Sequence, residues 1–255
     1  MSVVPDDSAG ADRRAIRLEI GVMLAVTFGV SAMVALLRLA DALLSGLPGY
    51  RVRMNPNLSR YDLINLGLNL VSLGQLVAWG LLALYLLWRS GIGPTRIGLG
   101  RLRWPGDVIG GVGLAALIGL PGLALYLAAR TLGMSADVEP ASLASSWWRI
   151  PVLVLAAFAN AFAEEVVVVG YLITRLRQLG RTPAQAVLAS GVLRGLYHLY
   201  QGFGAGLGNL VMGLVFGYAW CRWGRLWPLV IAHGLINSVA FVGYVVLAGH
   251  LTWLR

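Results

Sequence analysis

Seven long apolar stretches, each bounded by polar or arginine-bearing segments, organise this chain. They run at about 18–37, 61–88, 107–129, 150–174, 183–200, 204–221 and 226–248. A helix rises 1.5 Å per residue, so about 20 apolar residues are needed to cross a hydrocarbon core of about 30 Å. The pattern predicts an all-α, polytopic transmembrane helical bundle of about seven spans. The fifth and sixth stretches are short, which predicts tilt or a break. The link between them, Gln201 to Gly208, is glycine-rich and predicts non-helical backbone inside the protein. The first stretch is too long for a signal-peptide core and has no small-residue cleavage site, so it reads as a retained span. Ahead of it, residues 1–17 read as a disordered cytoplasmic leader, and 249–255 read as a short tail. No internal repeat is apparent, which argues against a transporter built from inverted repeats.

Composition strengthens this picture. Of 255 residues, 58% are hydrophobic and 12% charged, whereas soluble domains carry about 25% charged residues. All 20 basic residues are arginine, and the formal net charge is +9. The arginines lie mainly between apolar stretches, where they set topology, so the charge does not point to nucleic acid. The leader, the 89–106 loop, the 175–182 loop and the 222–225 turn together hold 12 arginines on one side. Arg51, Arg53 and Arg60 dissent in the 45–60 loop. The bias places the N-terminus in the cytoplasm and the C-terminus outside a cell membrane crossed several times. Within 92–104, Ile97, Leu99, Leu102 and Trp104 among arginines predict a segment lying along the inner interface. Cys221 is the single cysteine, which excludes an intrachain disulfide, and it reads as a small packing residue.

Candidate chemistry is concentrated in the fourth stretch, where Glu164 and Glu165 stand side by side in an apolar run. A charged side chain at the bilayer centre costs roughly 2.5–3.5 kcal/mol on insertion scales, so an acid pair there points to function. The other polar groups in the last four stretches are Asn160, Arg194, His198, Asn209, His233 and Asn237. Asn160 lies one turn before Glu164, and Arg194 and His198, like His233 and Asn237, are spaced i, i+4 on one face. Adjacent helical residues diverge by about 100°, which predicts that Glu164 faces a cavity while Glu165 braces the bundle. A buried carboxylate can take a proton from water, and imidazole and amide N–H groups can stabilise an oxyanion. The same groups could instead hold a zinc ion through two histidines and a carboxylate. There is no His-Glu-x-x-His and no Gly-x-Ser-x-Gly, so the zincin and serine-hydrolase signatures are missing.

Residues 160–240 resemble the core of the CPBP family, the CAAX-protease and bacteriocin-processing intramembrane proteases related to Rce1-type prenyl-protein endoproteases. That family's pattern is Glu-Glu-x-x-x-Arg, then Phe-x-x-x-His, then His-x-x-x-Asn or Asp on successive helices. The matching residues are Glu164-Glu165, then His198, then His233-Gly-Leu-Ile-Asn237. The resemblance implies a protease core over 149–248, preceded by N-terminal helices and loops over 18–148. It implies an endopeptidase acting on a membrane-associated or lipid-modified protein. Glu164 and His198 would activate water, and His233 and Asn237 would hold the oxyanion. In the other version a divalent metal would be bound by Glu164, His198 and His233, and the sequence leaves the two versions open. Val169 stands where the family has arginine and Arg194 where it has phenylalanine. The pair of departures predicts that the cation has moved between helices, so that Arg194 neutralises Glu165.

Two other functions compete. One is a catalytically silent relative acting as a membrane scaffold or bacteriocin-immunity protein; the other is a proton-coupled transporter using Glu164. Tyr197, Tyr200 and Gln201 around His198 read as interfacial aromatic chemistry, Asn209 as a packing hydrogen bond, and His250 as an exposed terminal residue. At 1.5 Å per residue, Glu164, His198 and His233 lie about 16, 22 and 10 Å from the cytoplasmic ends of their spans. Their convergence therefore requires tilt, staggered ends or a fifth helix that starts deeper.

Overall fold

A computed structural model describes residues 8–247, with side chains from Asp12 onward. The tail and His250 lie outside the described residues, as do Pro5, Asp6 and Asp7 of the leader. From Ser8 the leader is helical and continues into the first apolar stretch as α1 (Ser8–Val26). The single first span is instead two helices, α1 and α2 (Phe28–Ser45), broken at Thr27. There the Thr27 hydroxyl donates to the Met23 carbonyl at 2.6 Å, fully buried. The bend is tight enough that a Cβ on Gly29 would meet the Leu24 carbonyl oxygen at 2.6 Å. Packing drives the break, because the Phe28 ring seats against Trp79 and Tyr197 with centroids 5.5 and 4.9 Å away.

The remaining helices are α3 (Asp62–Arg89), α4 (Gly106–Thr131), α5 (Arg149–Glu164), α6 (Leu172–Gln178), α7 (Pro183–Tyr197), α8 (Phe203–Trp223) and α9 (Trp227–Leu247). α5 and α6 are joined by a π-helical stretch, Glu165–Tyr171, into one rod, Arg149–Gln178. Among the described residues, six helices are long and apolar enough to cross a membrane, one fewer than the apolar pattern predicts. The exception is α7, whose 15 residues rise about 22 Å. It starts at a Thr182 capping box with Pro183 at its first position, and it stops at His198.

The α5–α6 rod is the centre of the bundle. In its most apolar window 72% of residues are buried, against 11–39% for the other five spans. That is why Val166 to Val169 can be apolar on every side: a helix surrounded by helices has no polar face to keep. The outer helices turn leucines and valines outward, as lipid-facing surfaces do. α7 and α8 approach closely along small residues: a Cβ on Gly213 would lie 2.7 Å from the Gly191 Cα.

The two ends of the bundle are closed differently. At one end, two short strands, β1 (Arg51–Arg53) and β2 (Asp137–Glu139), pair in parallel, and Ser135 bridges to Gly202. At the other end lie the arginine-rich connections. There Ile97 is buried and its carbonyl accepts from Trp220 Nε1 at 2.9 Å. Cys221, expected in packing, is exposed on the last turns of α8.

Candidate active site

Arg194, fully buried in the last turn of α7, is the hub of the polar cluster. Its Nη2 donates to Glu165 Oε1 at 2.6 Å, and its Nη1 lies 4.0 Å from Glu164 Oε2. The two carboxylates therefore converge on one guanidinium, where the sequence predicted that they would part. The reason is local. At Glu165 the rod leaves α-helical geometry for the wider π form, a device that re-aims side chains and recurs at functional sites. A guanidinium between them then reaches both.

Each acid has a second partner. Glu164 Oε2 accepts from the Tyr197 hydroxyl at 2.6 Å, and Glu165 Oε1 sits 2.8 Å from His233 Nδ1. Since a carboxylate oxygen accepts, the His233 proton lies on Nδ1 and its Nε2 is left for other work. Glu165 is thus more than a brace, because it orients an imidazole. His198 follows the same logic. Its Nδ1 is 2.9 Å from the Arg194 carbonyl oxygen, which can only accept, so its Nε2 is also left open. The groups facing Glu164 are His233, His198 and the Arg194 guanidinium. Two carboxylates and one guanidinium leave one negative charge in excess, which a single proton on an imidazole or on Glu164 cancels.

Not all of this polarity is spent. Arg194 Nε and Nη1, Glu165 Oε2 and Asn160 Oδ1 are buried without a hydrogen-bond partner among the described residues. Leaving such groups unpaired costs roughly 1–3 kcal/mol each. Asn237, half-buried one turn beyond His233, makes no side-chain hydrogen bond among them either. Asn209 bonds within its own helix, to the Ala205 carbonyl at 3.0 Å.

The three-ligand metal version does not fit this geometry. Among the described residues, no three His, Cys, Asp or Glu side chains are placed to hold one ion. Glu164 instead accepts from the Tyr197 hydroxyl and faces the Arg194 guanidinium.

The structure also contains groups that the sequence reading missed. Tyr197 reads as an interfacial aromatic because it adjoins His198 and Tyr200, yet it is buried against Glu164. Arg175, assigned to a cytoplasmic loop, is buried. It donates to Glu19 Oε1, Ser90 Oγ and the Leu86 carbonyl, each at 2.8 Å. Tyr171 donates to the same Glu19 at 2.9 Å. The available signal was Glu19 itself, an acid inside an apolar stretch.

An apolar cavity of about 420 Å³ lies alongside, between α4, α7 and α8, with Leu125, Val192, Leu196, Leu199 and Phe203 among its walls.

Fold and site together define a polytopic helical membrane protein with an acid–base cluster buried at its centre. The family model described as type II CAAX prenyl endopeptidase Rce1-like matches residues 146–239, and the chain therefore carries an Rce1-like domain. Every member of the cluster lies inside that span. Neither a curated protein nor a solved structure matches the chain.

Proposed function

We propose that the chain is an intramembrane endopeptidase that hydrolyses a peptide bond of a membrane-associated or lipid-modified protein. The observation that carries this reading is Glu164, a buried carboxylate oriented by Tyr197 and facing Arg194 and two imidazoles, inside the Rce1-like domain. Glu164 takes a proton from water as the water oxygen bonds to the scissile carbonyl carbon. Arg194 Nε and Nη1, which have no other hydrogen-bond partner, donate to the oxyanion that forms. His198, with Nδ1 tied to the Arg194 carbonyl, holds the water through Nε2. The proton then passes to the leaving nitrogen as the C–N bond breaks, and the other product is a carboxylic acid. His233, oriented by Glu165, carries that proton. The apolar cavity beside α7 receives the substrate's apolar segment.

The silent-scaffold reading rests on Val169, which is buried in the apolar core where the family has arginine. Arg194 supplies Glu165 with a cation from the neighbouring helix, which supports the protease reading over the silent one. The test is cleavage of membrane-tethered and prenylated peptides by the purified protein in liposomes, read from fragment masses. Cleavage is expected to persist at an undiminished rate with a strong metal chelator. Loss of all activity on chelation would sink the metal-free mechanism, and no fragments from any peptide would sink the protease reading.

The arginine-rich end of the bundle faces the cytoplasm in this reading. Exposed Cys221, the single thiol, sits at that end and reports on it. A membrane-impermeant maleimide should label it in inside-out vesicles and not in intact cells; the reverse pattern would invert the topology.

A further inference from the structure

Outside the catalytic cluster, the arginine-rich end holds a second built feature. The 92–104 segment folds back over the turn between α8 and α9 and is fixed there through its main chain. The Leu226 amide donates to the Gly98 carbonyl at 3.2 Å, and Trp227 Nε1 donates to the Gly100 carbonyl at 2.7 Å. The fit leaves no room for a side chain at Gly98. Its φ is +83°, and a Cβ there would lie 2.4 Å from the Arg225 Cα. Arg225 locks the far edge, pairing with Asp107 and donating to the Arg101 carbonyl at 3.0 Å.

This packing borders an open cavity of about 520 Å³ whose walls include Thr95, Arg101, Leu102, Arg103, Trp104 and Arg225. Asp107 pairs with Arg225 and also attracts the exposed Arg103, while the exposed Arg101 side chain makes no ion pair among the described residues. The guanidinium groups of Arg101, Arg103 and Arg225 against the one carboxylate of Asp107 leave a positive excess in one concavity that selects an anion, and guanidinium matches phosphate oxygens in pairs. Beside them Trp104 is 75% exposed and Leu102 42% exposed. Large apolar groups left bare next to paired positive charge suit a ligand with both an anionic and an apolar part. Tryptophan also settles at headgroup depth.

We propose that this cavity binds the phosphoryl group of an anionic phospholipid, with Arg101 and Arg103 on the phosphate and Trp104 and Leu102 against the adjoining glycerol and acyl carbons. Basic pockets at the cytoplasmic ends of membrane helices are suited to such headgroups.

The experiment is native mass spectrometry of the full-length protein in detergent, titrated with dioleoylphosphatidylglycerol, dioleoylphosphatidylcholine or inorganic phosphate. Phosphatidylglycerol is expected to bind at one saturable site and phosphatidylcholine not. The double variant Arg101→Gln, Arg103→Gln should weaken phosphatidylglycerol about 30-fold, near fivefold per arginine. Both arginines hydrogen-bond to the loop only through main-chain atoms, so the variant keeps those bonds. Arg51→Gln with Arg53→Gln, at the opposite end, removes the same charge and should leave binding unchanged. Equal retention of the two lipids, or undiminished phosphatidylglycerol binding by the Arg101/Arg103 variant, would overturn the proposal. Displacement of the lipid by equimolar inorganic phosphate would overturn its membrane source.

Discussion

Glu164→Gln is expected to leave the protein folded and to remove peptide-bond cleavage, with a fall in rate of at least about 10²–10⁴-fold, the range that general bases supply. Glutamine keeps the shape of the side chain, and its carbonyl oxygen can still accept the Tyr197 hydroxyl now 2.6 Å from Glu164. It cannot take a proton from water. The substitution also removes the negative charge that the cluster holds in excess, so the thermal midpoint should hold or rise. That combination separates a base from a structural acid. Glu165→Gln gives the contrasting result, because Glu165 carries the 2.6 Å contact to Arg194 and orients His233; both stability and activity should fall. The measurement pairs thermal unfolding in detergent with fragment analysis of a membrane-tethered peptide. Cleavage by Glu164→Gln at the unsubstituted rate would end its assignment as the base.

The second large effect is on stability. Arg194→Phe should cost about 3–5 kcal/mol, because it strands two buried carboxylates whose desolvation the guanidinium offsets. A loss of that size is a large part of the 5–15 kcal/mol that holds a typical domain folded, so low yield and early unfolding are expected. Adding Val169→Arg returns a cation to the helix that carries the glutamates, one π-widened turn beyond Glu165. The double variant should recover a substantial part of the lost stability, read as thermal midpoint and monodisperse yield. Equal loss in single and double variants would reject the exchange of the cation between helices.

The helices were legible in the sequence because lipid imposes a long apolar run on each one, and the acid pair was legible because its cost in that run is high. The pairing of Arg194 with Glu165 followed from the two departures from the family pattern, Val169 for arginine and Arg194 for phenylalanine, together with the rule that a buried cation must find an anion. Features set by contacts distant in sequence were hidden. The break at Thr27 exists because Phe28 packs on Trp79 and Tyr197, and nothing in the apolar pattern around it marks a boundary. The π stretch that turns both acids onto one guanidinium runs through four consecutive valines, whose β-branched uniformity carries no register signal. Three-residue strands such as Arg51–Arg53 are too short for alternation to be read. Tyr197 escaped because a tyrosine beside a span end has an ordinary explanation at the interface.

Arg175 bears on a different matter, the independence of the Rce1-like domain. The family match begins at residue 146, which invites treating what precedes it as a separable appendage. Yet this buried guanidinium, near the C-terminal end of the central rod, finds its anion on α1 and two further acceptors at the end of α3. Cut at the family boundary, the remaining fragment would hold a desolvated cation with no counter-charge, and the central rod would lose the α3 flank that covers it. α1 and α3 are therefore part of the wall around the central rod, and a fragment meant to hold the Rce1-like domain together has to include them.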